Sequence, residues 1–152
     1  MTPTSNIPQL TSALKGGEFL IKDTNAQEIF IPEQWNEEQK MIAQTCTDFL
    51  AQEVWPNLDK IDAQEEGLNV KLLDNAAELG LLGLNVPEQY GGFEKDFVTG
   101  MLATEILGAG YSFAVSISAH TGIGTLPILH YGNAAQKKKY IPKLATGEWK
   151  GA

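Results

Sequence analysis

From Asn36 onward, apolar side chains recur at helical spacing, and proline or glycine punctuates the pattern at intervals. Asn36 followed by Gln39 has the form of a capping box, and Glu37 and Glu38 suit the positive end of a helix. Behind them Ile42, Thr45, Cys46, Phe49, Leu50 and Glu53 keep the helical period, with Phe49 and Leu50 on the apolar stripe. Trp55-Pro56 predicts an interruption, because the residue ahead of a proline is pushed out of helical geometry. A short helix over 57–65 is expected next, turning Leu58 and Ile61 inward. Asn69 is placed to cap the following helix, in which Val70, Leu72, Leu73, Ala76, Ala77 and Leu79 face the core and Gly80 supplies the left-handed stop.

Proline at 87 and glycines at 91 and 92 predict an irregular connection over 81–93. A phosphate-binding loop is excluded there, since neither GxGxxG nor GxxxxGK[ST] occurs and no strand leads into it. A helix from about Asp96 to Leu107 is expected to bury Phe97, Met101, Leu102 and Ile106, with Glu105 as a paired or edge carboxylate, and Gly108 and Gly110 close it. Ser112 is positioned to cap a small-residue segment running to about His120. After Thr121-Gly122-Ile123-Gly124 a helix with Pro127 near its start reaches Tyr131. Asn133 caps a last helix over 134–144, which Gly147 ends. No β-hairpin signal appears, although 148–152 has the character of a strand beginning. The fold class is therefore all-α, an up-and-down assembly of about six helices with short connections. Residues 1–31 lack a sustained period and read as a loosely attached arm, in which 18–21 and 29–31 are short extended pieces able to dock.

Composition narrows the functional classes. A length of 152 residues and a hydrophobic share of 43% suit one globular domain with a real core. No apolar run is expected to reach the roughly 18 residues of a membrane span. The stretch from Met1 to Leu14 lacks the basic front and apolar centre of a signal peptide. Cys46 is the single cysteine, so no internal disulfide forms and a reducing, cytoplasmic location is the default. It reads as a small, partly buried helix residue. A net charge of −8 argues against nucleic-acid binding. The local cluster Lys137, Lys138, Lys139 and Lys143 reads as a solvated helix face or a docking face for an acidic partner. His120 and His130 stand outside any metal-ligand spacing and read as hydrogen-bonded helix-end histidines, so no metal is expected. Trp35, Trp55 and Trp149 read as core or domain-contact aromatics.

Two motifs carry a more specific signal. Residues 131–148 read Y-G-N-A-A-Q-K-K-K-Y-I-P-K-L-A-T-G-E, and Glu78-Leu79-Gly80-Leu81-Leu82-Gly83 is followed by Val86-Pro87-Glu88-Gln89-Tyr90-Gly91-Gly92. In this order and at this separation they resemble the motifs of the amino-terminal helical domain of acyl-CoA dehydrogenases. Ala119 to Gly124 is similar to a link between two helices of that domain. The resemblance covers about residues 30–152, and Gly16 to Ile21 looks like the arm of the larger, very-long-chain-type members.

The resemblance implies an arm over 1–31, the helical domain over 32–148, and the start of a β-domain at 149–152, with a four-helix bundle beyond it. It implies FAD as cofactor, a fatty acyl-CoA thioester as substrate, and an electron-transferring flavoprotein as partner. It also implies a homo-oligomer and α,β-dehydrogenation as the reaction of fatty-acid β-oxidation. The family's T-E-P-x-x-G-S-D flavin segment and its catalytic glutamate are absent from the sequence. No catalytic residue is therefore assigned: Glu88, Glu105 and Glu148 do not stand where the family places its base, and the chain alone is expected to be inactive. By the same resemblance, Ala114, Val115, Ser118, Ala119 and Gly122 line the far end of the chamber that takes the acyl tail. Small side chains there leave the chamber open, which implies a preference for medium-to-long or longer acyl chains. Close helix packing selects the same small residues. A free-standing helical interaction module, an acyl-CoA oxidase and a flavin monooxygenase stay open beside the dehydrogenase reading.

Overall fold

The computed structural model describes Leu14 and residues 16–151, and the expectations about residues 1–13 lie outside that range. Two compact units separate, residues 1–40 and 41–152. In the first, short 3-10 turns occupy Gly16–Leu20, Ala26–Glu28 and Pro32–Gln34. Ile29 and Ile31 are extended, as expected, but 18–21 is not: its amides turn back on Glu18, whose carbonyl accepts from both Ile21 and Lys22. Leu20 and Ile21 are 74% and 84% exposed, and Ile29, Phe30 and Ile31 are also exposed.

From Glu37 onward the described residues form helices joined by turns, with no strand among them. The helices are α1 (Glu37–Phe49), α2 (Leu58–Asp62), α3 (Leu68–Glu78), α4 (Phe97–Leu107), α5 (Ser112–Ser118), α6 (Leu126–Tyr131) and α7 (Ala134–Ala145). The Asn36 capping box is present, with Gln39 N–H donating to Asn36 Oδ1 at 2.8 Å and Asn36 N–H to Gln39 Oε1 at 3.1 Å. Trp55-Pro56 does not break the path. A π-turn over Leu50–Val54 and a 3-10 turn over Trp55–Asn57 carry the helix from α1 into α2, and Trp55 itself stays in helical geometry. The widened turn absorbs the clash a proline ring makes with the carbonyl four residues earlier.

Several other expectations are corrected. Asn69 lies inside α3, whose cap is the left-handed Gly67. Val70 and Leu79 are half exposed, at 51% and 50%, while Leu72, Leu73 and Ala76 form the buried face. Phe97 is 75% exposed and Met101 46%, and α4 instead buries Thr99, Gly100, Leu102, Ala103 and Leu107. That helix is apolar almost all round, so hydrophobicity does not choose a face; its small residues do, because they permit close approach. Asp96 caps it, accepting from Thr99 N–H at 2.8 Å. Ser112 is no cap: Tyr111 precedes α5 with φ +53°, and Ser112 Oγ donates to Asp62 Oδ1 at 2.8 Å.

The expected link at 121–124 is a π-turn over Ala119–Gly124, which makes Ser112–Tyr131 one continuous helix of 20 residues. By length and composition alone that helix would cross a membrane, contrary to the sequence expectation, which had divided it. The predicted about six helices therefore become five continuous helical runs. Residues 148–151 form no strand.

The core gathers around Phe49 and Phe113, whose ring centroids lie 5.7 Å apart, with Leu50, Val54, Leu72 and Ile117 about them. A smaller cluster joins Val86 to Ile141 and Ala145. Gly80 stops α3 with φ +77°, Gly80 N–H bonding the Ala77 carbonyl and Leu81 N–H the Ala76 carbonyl, a Schellman close.

Candidate functional site

A cleft of about 240 Å³ opens between α4, the long helix Ser112–Tyr131 and the connection 81–86. Gly100, Met101 and Thr104 form its α4 side; Ser118, Thr121, Gly122 and Thr125 face them. The threonine hydroxyls are spoken for: Thr104 donates to the Gly100 carbonyl, Thr121 to the Ile117 carbonyl and Thr125 to the His120 carbonyl, each within 2.8 Å. What remains facing the cleft is mostly methyl and methylene surface.

Of the five residues assigned to a chamber wall, the cleft brings together Ser118 and Gly122. Val115 lies apart from it, 71% exposed, and one turn on from the half-buried Ala119 comes Ile123, 74% exposed. Ala114 is half-buried and does not line the cleft. Sequence reasoning missed Gly100, Thr104, Thr121 and Thr125. A usable signal existed, because small residues recur four apart at 100/104, 118/122 and 121/125, the spacing of one helix face. Dividing the long helix at 121–124 hid it.

The two motifs pack against each other. A Cβ at Gly83 would come within 3.3 Å of the Ala145 carbonyl oxygen, and Val86 shares its buried cluster with Ile141 and Ala145. Gly92 lies so close to Val86 that a Cβ would overlap the Val86 carbonyl. Gly147 closes α7 with φ +72°, and a Cβ there would come within 2.6 Å of Ala77 Cβ. The Asn133–Gln136 capping box opens α7, with bonds of 2.8 and 2.9 Å. The glycines and caps in these motifs therefore hold backbones together; they do not carry out chemistry.

The profile of the acyl-CoA dehydrogenase N-terminal domain matches residues 36–148. The chain belongs to that family. A probable acyl-CoA dehydrogenase of Bacillus subtilis (strain 168) is 47% identical over 134 residues, covering 88% of this chain and 23% of that protein. Bovine mitochondrial isovaleryl-CoA dehydrogenase is 37% identical over 77% of this chain and 28% of its own length. The solved acyl-CoA dehydrogenase of Bacillus anthracis, complexed with FAD, superposes with a TM-score of 0.85 at 47% identity, over 91% of this chain and 24% of that one. The chain thus spans about a quarter of the length of the relatives it matches.

The cleft of this acyl-CoA dehydrogenase domain does not fit a flavin dinucleotide. None of its lining residues is charged, so nothing there answers a pyrophosphate, and its volume falls below the ~300 Å³ at which small-molecule pockets begin. Glu88, Glu105 and Glu148 are exposed and far from the environment of a catalytic base. Cys46 is fully buried, and burial pushes its thiol up to about 11, the opposite of an activated nucleophile.

His120 is fully buried and uses both ring nitrogens: Nε2 lies 2.9 Å from the Leu144 carbonyl, and Gly151 N–H donates to Nδ1 at 3.1 Å. Because Nδ1 accepts, the proton sits on Nε2 and the ring is neutral. Burial holds its pKa below the ordinary histidine value, outweighing the raising effect of the Leu144 bond, with the Lys150 charge adding to the depression. His130 is exposed beside Tyr131. In the lysine cluster, Lys143 pairs with Glu148 and lies over the Trp149 ring at 4.8 Å, and Lys139 lies over Tyr140 at 5.0 Å. Trp55 Nε1–H donates to the Ala109 carbonyl at 3.0 Å.

Proposed function

We propose that this chain forms one wall of the acyl-tail chamber in an FAD-dependent acyl-CoA dehydrogenase, and that the flavin and the catalytic base stand on other domains. The observation that carries the reading is the long helix Ser112–Tyr131. It presents Val115 and Ile123 to the outside with only the small Ala119 between them, and Ser118 and Gly122 on the adjoining face. Large exposed apolar side chains on a helix are expected where another surface or ligand covers them. The family membership, and a close relative solved with FAD, supply the flavin and the thioester substrate class to this reading. An electron-transferring flavoprotein as acceptor and an oligomeric enzyme belong to the same proposal.

The chamber is long because its wall is small. Each methylene of acyl tail buried against it contributes ~0.8 kcal/mol. A side chain that shortens it by one methylene shifts discrimination by roughly 1–3 kcal/mol. In the intact enzyme that carries this domain, Ala119→Trp and Ser118→Trp are expected to move the chain-length optimum toward shorter thioesters while flavin content stays constant. An unchanged profile for both variants removes these residues from the wall.

A further inference from the structure

His120 is a fully buried titratable side chain that the proposed wall does not use. It sits in the π-turn Ala119–Gly124, the one departure from α geometry within the helix that carries the proposed wall residues. A π-turn inserts an extra residue, forfeits regular i→i−4 bonds and persists where other contacts over-determine it. Here those contacts come from three directions. Thr125 Oγ1–H donates to the His120 carbonyl at 2.7 Å, from the same helix. The Leu144 carbonyl at the end of α7 takes the ring Nε2–H. The backbone of Gly151 lies against Gly124, where a Cβ would come within 3.0 Å of Gly124 Cα, and its N–H meets Nδ1.

We propose that His120 is a positioning residue: its neutral imidazole latches the π-turn bearing Ala119 and Gly122 to the end of α7 and to Gly151, and so fixes the contour of the wall. The consequence for the wall rests on the function proposed above; the latch itself does not. Protonation would place a second N–H on Nδ1, facing the Gly151 donor, so the bond to Gly151 is lost and the turn is freed on that side. The charged groups around the latch act in the same sense or are neutralised. Lys150, the cation acting on the ring, is held by Asp74 of α3 and the Gly147 carbonyl, and Lys143 at the end of α7 is paired with Glu148.

The test is nitrogen-15 NMR of this chain from about pH 7.5 to about pH 5, with the imidazole and backbone signals followed together. The expected result is an Nε2–H tautomer at the upper end and a titration midpoint below 6.5. The amides of 119–124 and of Gly151 should move with that same midpoint, and Gly151 should lose exchange protection by about fivefold, the equivalent of one net hydrogen bond. His120→Gln keeps a donor and an acceptor without the titration, so its Gly151 protection should stay flat with pH. The proposal is overturned by an Nδ1–H tautomer, by amides that stay put while the ring titrates, or by the same pH response in His120→Gln. None of these readouts involves an acyl-CoA. If the latch holds and the tryptophan variants leave chain length unchanged, the wall reading fails alone; if the reverse is found, His120 has no control over the wall.

Discussion

Replacing Gly92 with alanine should cost more stability than replacing Gly91, although only Gly91 has a positive φ. At Gly91, φ is +85° and nothing lies within 4 Å of an added Cβ, so the penalty is the left-handed conformation alone, about 1 kcal/mol. At Gly92 the backbone is ordinary, but the added carbon would overlap the Val86 carbonyl and its Cβ. To clear it, the return segment must separate from 83–86. That segment is held by Phe93 N–H to Gly83 O at 3.0 Å, Glu94 N–H to Val86 O at 2.9 Å and Lys95 N–H to Leu84 O at 2.8 Å. At ~1 kcal/mol net for each bond, the loss is about 3 kcal/mol. With a urea slope of about 2 kcal/mol/M, the unfolding midpoint should fall by ~1.5 M for Gly92→Ala and ~0.5 M for Gly91→Ala. Equilibrium urea unfolding followed by far-ultraviolet circular dichroism gives both numbers. A Gly92→Ala midpoint no lower than that of Gly91→Ala would refute the close-packing account of the Tyr-Gly-Gly motif.

Three further outcomes follow from individual side chains. The depressed pKa of His120 means that the unfolded chain binds its proton first, so stability should be full above about pH 6.5 and decline as pH falls below it; a urea midpoint constant down to about pH 5 contradicts this. Cys46, buried and raised to about 11, should react with a disulfide reagent only as fast as the chain opens, and instant labelling in buffer would show the thiol accessible. Tyr111 holds φ +53° and is 69% exposed, so Tyr111→Gly should relieve the strained backbone and raise stability by about 1 kcal/mol net of glycine's entropy. A lower Tm for that variant would mean that the ring contributes packing its exposure does not suggest.

Legibility of the fold followed the reach of each signal. Caps are local, and the Asn36–Gln39 and Asn133–Gln136 boxes and the Gly80 and Gly147 stops were all readable from side chains a turn apart. The burial of α4 was not, because which side of an apolar helix is inward depends on its neighbours; Phe97 and Met101 carry the hydrophobicity, whereas Gly100 and Ala103 carry the contact. Thr121-Gly122-Ile123-Gly124 has the composition of a loop. It stays helical because His120, Thr125 and the remote Leu144 and Gly151 hold it, and the last two come from elsewhere in the chain. Thr121 and Thr125 line the cleft with Ser118 and Gly122, a shared face that shows only once 121–124 is seen to be helical.

In the proposed enzyme the outward face of the long helix is expected to meet the acyl tail. A crystal structure of the intact enzyme carrying this domain, with a long-chain acyl-CoA analogue bound, tests it most directly. Tail carbons within about 4.5 Å of Val115 and Ala119 are the predicted result. A tail that never approaches this helix, with Val115 and Ile123 left in solvent, would contradict it.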